Sequence, residues 1–178
     1  MTAIPTECVI ETERLLLCRL TGDDAPFILE LLNQPSFLRF IGDKGVRTLD
    51  HAREYIRQGP ADSYERRGFG LYLVKLRDGG VSIGICGLVK RDALDDVDLG
   101  FAFLPSFWSQ GYALESASAV LTYSREVIRL NRVVAITNPD NESSIRLLEK
   151  LGLQFERMIL LPDSTEESKL FVPGKLTS

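Results

Sequence analysis

Apolar positions change their spacing several times along the chain, and each change marks an element. The run Arg14-Leu-Leu-Leu-Cys-Arg-Leu20 reads as a strand, and Thr21 with Asp24 forms a capping-box pattern ahead of a helix carrying Phe27, Ile28, Leu31 and Leu32. Pro26 fits the first turn of that helix. A second helix is predicted after Thr48, burying Leu49, Ala52 and Ile56 and stopped by Gly59-Pro60, with irregular chain between the two. Strand-like segments follow from Phe69 to Arg77 and from Val81 to Val89, joined as a hairpin by Asp78-Gly79-Gly80. In a third strand, Val97 to Leu104, alternation puts Val97, Leu99, Phe101 and Phe103 on the core face. Asp98, Gly100 and Ala102 share the opposite face, where small residues leave room for a ligand.

From Tyr112 to about Leu130, Ala113, Ala117, Val120, Leu121 and Ile128 recur at the spacing of a helix packed on a sheet. Arg132 to Thr137 reads as a short strand and Asn138-Pro139-Asp140-Asn141 as a turn. The next helix buries Ile145, Leu148 and Leu151 before Gly152 ends it in a left-handed cap. Strands near Leu153 to Met158 and Ser168 to Val172 close the chain, with Pro162 to Glu167 an exposed loop between them. This order predicts an α/β fold with a mixed central sheet, antiparallel at its beginning, flanking helices and one crossover helix.

Composition narrows the function classes. With 178 residues and 44% hydrophobic content, residues 1–178 are expected to form one domain with a continuous core. Apolar runs are broken by charges well short of a bilayer crossing, and the start of the chain has no basic segment followed by an apolar one, so a cytoplasmic protein with no membrane partner is expected. The three cysteines, Cys8, Cys18 and Cys86, indicate neither a disulfide framework nor a zinc site. A net charge of −4 with dispersed Lys and Arg argues against nucleic acid as a partner and is compatible with cationic substrates.

The most informative stretch is Trp108-Ser-Gln-Gly-Tyr-Ala-Leu-Glu-Ser116. A strand ends in a Pro-containing turn, and Gly111 and Ala113 open a long helix whose first amides are unpaired, a geometry suited to a pyrophosphate. Other nucleotide signatures are fragments: Gly174-Lys175-Leu176 lacks the rest of a P-loop, and Gly68-x-Gly70 is an incomplete dinucleotide fingerprint. His51, the single histidine, falls in a predicted helix and is assigned to the surface.

Glu13-Arg14-Leu15, Asp98-Leu-Gly-Phe101, the Trp108 to Glu115 loop and Asn141-x-x-Ser144-x-x-x-Leu148-Glu-Lys-Leu-Gly152 occur in order. With these motifs the chain resembles the GNAT acetyltransferases, and within them the branch of ribosomal-protein N-terminal acetyltransferases. The resemblance implies the GNAT (acyl-CoA N-acyltransferase) fold, acetyl-CoA as donor, direct transfer to a primary amine, and no metal. It places the pyrophosphate on backbone amides of Trp108, Ser109, Gln110, Gly111, Tyr112 and Ala113. The pantetheine arm would run along Phe101, Ala102, Phe103 and Leu104, with Asn141 binding that arm and Ser144 near the sulfur. Relatives commonly read Trp-Gly-x-Gly-Tyr-Ala, whereas this chain has Ser109 at the first glycine. The loop therefore either uses an ordinary conformation there or bears strain.

The chemistry requires a neutral amine. An α-amine with pKa near 8 costs only about 1.4 kcal/mol to deprotonate at pH 7, against roughly 4.6 kcal/mol for a lysine. Asp98 is the candidate base or amine-orienting group, its alternative being a solvated edge carboxylate. Asp92, Asp95 and Asp96 could attract a cationic amine or simply form a polar turn. Ser144 and Asn141 could serve the leaving sulfur and the pantetheine arm or cap a helix. Glu115 is read as favourable to the helix dipole, and Phe107 and Trp108 as packing residues. The expected acceptor is a peptide or protein N-terminus; a small-molecule amine (an antibiotic, polyamine or metabolite) and a non-catalytic coenzyme-A sensor are the rival readings, for a monomer or homodimer.

Overall fold

A computed structural model describes residues 7–175. Its strands are β1 (Cys8–Glu11), β2 (Leu15–Arg19), β3 (Leu71–Leu76), β4 (Ser82–Val89), β5 (Val97–Phe103), β6 (Val133–Thr137), β7 (Leu153–Leu160) and β8 (Glu167–Pro173). Among the described residues they form one eight-stranded sheet in the order β1-β2-β3-β4-β5-β6-β8-β7. Neighbours are antiparallel except β5 and β6, which run parallel. A parallel pair needs a crossover, and α5 (Tyr112–Glu126) supplies it.

Both faces of the sheet are covered. On one lie α5 and α6 (Glu142–Lys150), where Leu17, Val74, Cys86, Leu88 and Leu99 pack with Ala117, Val120 and Leu148. On the other lie α1 (Ala25–Leu32), α2 (Pro35–Phe40) and α3 (Leu49–Ile56), whose Ile28, Leu31, Phe37, Ala52 and Ile56 cover Leu73, Ile85 and Leu104. Val74 and Leu73 thus bury opposite faces of one strand, which is why β3 is apolar at successive positions. β5 divides as its alternation predicts: Val97, Leu99 and Phe103 join the α5 side, and Ala102 the other. No helix among the described residues is long and apolar enough to cross a membrane.

Local signals hold where they concern caps and tight turns. Asp24 accepts a hydrogen bond from the Thr21 amide at 2.8 Å, Thr48 accepts one from the His51 amide at 3.1 Å, and Gly79 and Gly80 take positive φ in the β3–β4 turn. Gly59-Pro60 does not stop the helix as expected. The chain passes through a wide π turn, Arg57–Ala61, and continues as α4 (Asp62–Arg67) until Gly68 ends it with φ 78°. The wide turn accommodates a proline with no N–H to donate, and burial of Pro60 holds it in place. Leu49, expected in the core, is 42% exposed because it opens α3 on the outer side. The link expected to be irregular contains α2, with Pro35 in its first turn.

β1 goes unrecognised in the sequence, and with it a disulfide. Antiparallel pairing of β1 with β2 sets Cys8 directly opposite Cys18, and the two are bonded. The reading that no disulfide is indicated fails because the pairing depends on strand register, which spacing along the chain does not reveal.

Candidate active site

The parallel pair is short. β5 and β6 meet only at Val97–Val133 and Asp98–Val134, after which β6 pairs through Ala135–Thr137 with β8. Beyond Asp98 the β6-facing backbone of β5 therefore has no strand partner among the described residues, and the sheet splits. Because the two strands point the same way, the helices that follow them, α5 and α6, both begin at the open end of the split.

The segment after β5 makes a 3₁₀ turn at Pro105–Phe107, passes through Ser109 (φ 59°) and Gly111 (φ 82°), and enters α5. The Trp108 amide donates to Pro105 O at 3.2 Å, and the first α5 bond runs from the Glu115 amide to Gly111 O at 3.0 Å. Among the described residues the amides between them, 109–114, have no hydrogen-bond partner, so they form a row of donors at the positive end of the helix. Trp108 instead contributes its indole, which donates to Phe103 O at 2.9 Å while the ring stays about half exposed rather than packed. Ser109 resolves the alternative set by its sequence: the loop keeps a left-handed residue there and bears strain of about 1 kcal/mol.

Glu115 does more than complement the dipole. Its carboxylate accepts from the Thr12 hydroxyl at 2.6 Å, from the Arg14 amide at 2.9 Å and from Arg14 Nε at 2.7 Å. Partial burial works against its ionisation, yet these donors prevail and hold the carboxyl below its ordinary range. Arg14 also donates from Nη1 to Gln110 O at 2.9 Å. No role for Arg14 follows from the sequence reading. Its signal was a cation opening an apolar strand with a first-turn acid about a hundred residues on, a pairing that only the fold reveals.

Asp98 lies at the closed end of the split. It is 1% exposed, not a solvated edge carboxylate. Its Oδ2 accepts from Arg91 Nε at 3.1 Å, whereas Oδ1 is buried without a partner among the described residues. Burial pushes this carboxyl up, with Arg91 and Lys90 acting in the opposite direction. Arg91, also missed in the sequence, reaches further: its charge acts on Tyr55 of α3 and on Lys44 of the α2–α3 link, whose ammonium is pushed down chiefly by burial and then by Arg91. Asp96 instead pairs with Arg132 at 3.0 Å in the adjoining turn region.

At the start of α6, Asn141 Oδ1 accepts from the Ser144 amide at 3.2 Å, so the capping geometry is present, and Ser144 is nearly buried. Phe101 to Leu104 and the 108–113 loop lie toward the C-terminal end of β5, and Asn141 and Ser144 open α6 just after the C-terminal end of the parallel β6, while Asp98 stands at the paired end, roughly 17 Å along β5 from Phe103 at about 3.3 Å per residue. His51 is exposed on the outer side of α3, accepting a hydrogen bond from the Arg47 amide at 3.3 Å.

The family model of the GNAT acetyltransferase domain matches residues 14–154. The chain belongs to the GNAT acetyltransferase family. It is 30% identical over 152 residues to the uncharacterized N-acetyltransferase YoaA of Bacillus subtilis, covering 85% of each chain. An acetyltransferase structure from Agrobacterium tumefaciens aligns with a TM-score of 0.78 at 25% identity, over 97% of this chain and 95% of that one. RimL, a ribosomal L7/L12 alpha-N-protein acetyltransferase solved in complex with coenzyme A, shares the fold with a TM-score of 0.72 at 16% identity, over 93% and 97% of the two chains. The family, fold and enzyme class implied by the motifs are therefore established. The GNAT acetyltransferases use acetyl-CoA to acetylate amines. The split sheet and the row of free loop amides in this chain fit such a donor: one side offers an unpaired strand edge, the other an anion site.

Proposed function

We propose that this GNAT enzyme acetylates the α-amine of a peptide or protein N-terminus, with acetyl-CoA lying in the split between β5 and β6. The parting of those strands beside the free amides of 109–113 supports the donor half of the reading, and the likeness to ribosomal-protein acetyltransferases such as RimL supports the acceptor half. Those amides would hold the diphosphate, and the open edge within Phe101–Leu104, where Phe103 O already accepts from the Trp108 indole, would hydrogen-bond the pantetheine amides through its remaining groups. Asn141 uses Oδ1 as a cap, which leaves its amide nitrogen to donate to the pantetheine arm. The donor supplies a thioester carbonyl. The neutral amine attacks that carbon, the C–S bond breaks, and the Ser144 hydroxyl donates to the departing sulfur. Asp98, whose Oδ1 has no partner among the described residues, would accept the amine proton through intervening water. The low cost of deprotonating an α-amine suits a site with a single buried carboxylate better than a lysine would.

The test is thiol release from acetyl-CoA across a panel of α-amino peptides, lysine-bearing peptides with blocked N-termini, polyamines and aminoglycosides. Turnover greatest with free N-termini is the expected result. Turnover confined to polyamines or aminoglycosides transfers the assignment to small molecules, and tight coenzyme binding by calorimetry without any turnover replaces the enzyme by a sensor.

A further inference from the structure

Resting on that reading of the donor site, we infer that Arg14 is a positioning residue for acetyl-CoA binding, holding the 109–113 loop from behind in the conformation that presents its amides. Arg14 touches three successive residues of the loop and the first turn of α5. Nη1 donates to Gln110 O at 2.9 Å, the guanidinium carbon lies 4.5 Å from the Tyr112 ring centroid, and Nη2 stands 3.2 Å from where a Cβ on Gly111 would be. Nε is committed to Glu115 at 2.7 Å.

The Gln110 contact has a directional consequence. A trans peptide is planar, with its N–H opposite its C=O. Fixing the Gln110 carbonyl on Arg14 therefore turns the Gly111 N–H away from the guanidinium, toward the side where an anion would be met. The loop needs such a restraint, because two of its residues, Ser109 and Gly111, occupy the left-handed region and one of them is not glycine. The restraint is itself anchored: the Arg14 carbonyl accepts from the Arg77 amide at 2.9 Å, and Arg77 Nη1 donates to Thr12 O at 3.0 Å. Since Glu115 neutralises Arg14 at short range, the pair acts through geometry rather than by adding charge to the phosphate site.

Arg14→Gln in the full chain tests this, with acetyl-CoA compared against the acetyl thioester of N-acetylcysteamine, which has no diphosphate. The expected outcome is a rise of about tenfold in KM for acetyl-CoA, with the amine KM and the reaction of the short thioester changed less than about twofold. Glu115→Gln raises the same KM, and the double variant is no worse than the poorer single one, because both break one clamp. Equal loss with both donors would reduce Arg14 to a general folding role. An unchanged KM, or a shallower salt dependence of coenzyme binding showing direct contact with phosphate, would also overturn the inference. Wild-type turnover with acetyl-CoA is the control that separates these outcomes: its absence defeats the proposed function, whereas an active wild type with an unaffected variant defeats only the role of Arg14.

Discussion

Two carboxylates in this molecule are pushed in opposite directions by what surrounds them. Glu115 is partly buried but receives three donors, and its ionised form prevails; Asp98 is nearly fully buried, receives one, and its proton is held more tightly. A carboxyl whose folded-state pKa is raised favours the fold most below its unfolded pKa, and that contribution is lost as pH rises through the folded value. Ionised Asp98 at neutral pH is therefore a cost to stability. Asp98→Asn should raise stability by about 1 kcal/mol near pH 7, and the gain should shrink as the pH is lowered and the wild-type carboxyl protonates. The same change should lower kcat about a hundredfold. Denaturant titrations at two pH values, together with steady-state rates, check both halves; a variant that loses stability or keeps its rate contradicts the assignment.

At the scale of elements, the β3–β4 pair is held at a close approach that tolerates no side chain at one point. A Cβ on Gly87 would stand 2.1 Å from Gly70 O, whose carbonyl accepts from the Leu88 amide. Gly87→Ala should destabilise the protein by about 3 kcal/mol through forced separation of the strands, read as a lower denaturation midpoint with an unchanged m-value. Elements defined by local rules were legible in the sequence: α5 by its apolar spacing, α6 by its Asn141 cap and Gly152 terminus, the β3–β4 hairpin by its glycines. Those governed by neighbours were not. Gly59-Pro60 is a stop signal in an isolated helix, but here burial of Pro60 against the fold selects a wide turn instead. β1 has only four residues and gains its strand conformation from pairing with β2.

For the whole molecule, the split divides a sheet that is otherwise continuously paired, and a ligand entering it would join the two parts. Coenzyme A at about a hundred times its Kd should add about 2.7 kcal/mol of stability, which raises Tm by roughly 5–10 °C in a chain of this size. Hydrogen exchange should slow most at the 109–114 amides and along the open edge of β5, which lack partners without ligand. Slowing spread evenly over the molecule, or confined to β7 and β8, would place the ligand elsewhere.

What depends on neighbours along the chain could be read from the residues alone: alternation in β5, the helical face of α5, the caps, and the free first amides of a helix opened by Gly111. These follow from backbone geometry repeating every two or 3.6 residues and from amides that no preceding turn can satisfy. Assembly of the fold was needed to show that Asp98 is buried against Arg91, that Arg14 reaches the 109–113 loop, that Cys8 meets Cys18, and that Ser109 keeps a left-handed backbone. Each of these is set by strand register or by contacts between distant segments, so its energy appears only when the sheet has assembled.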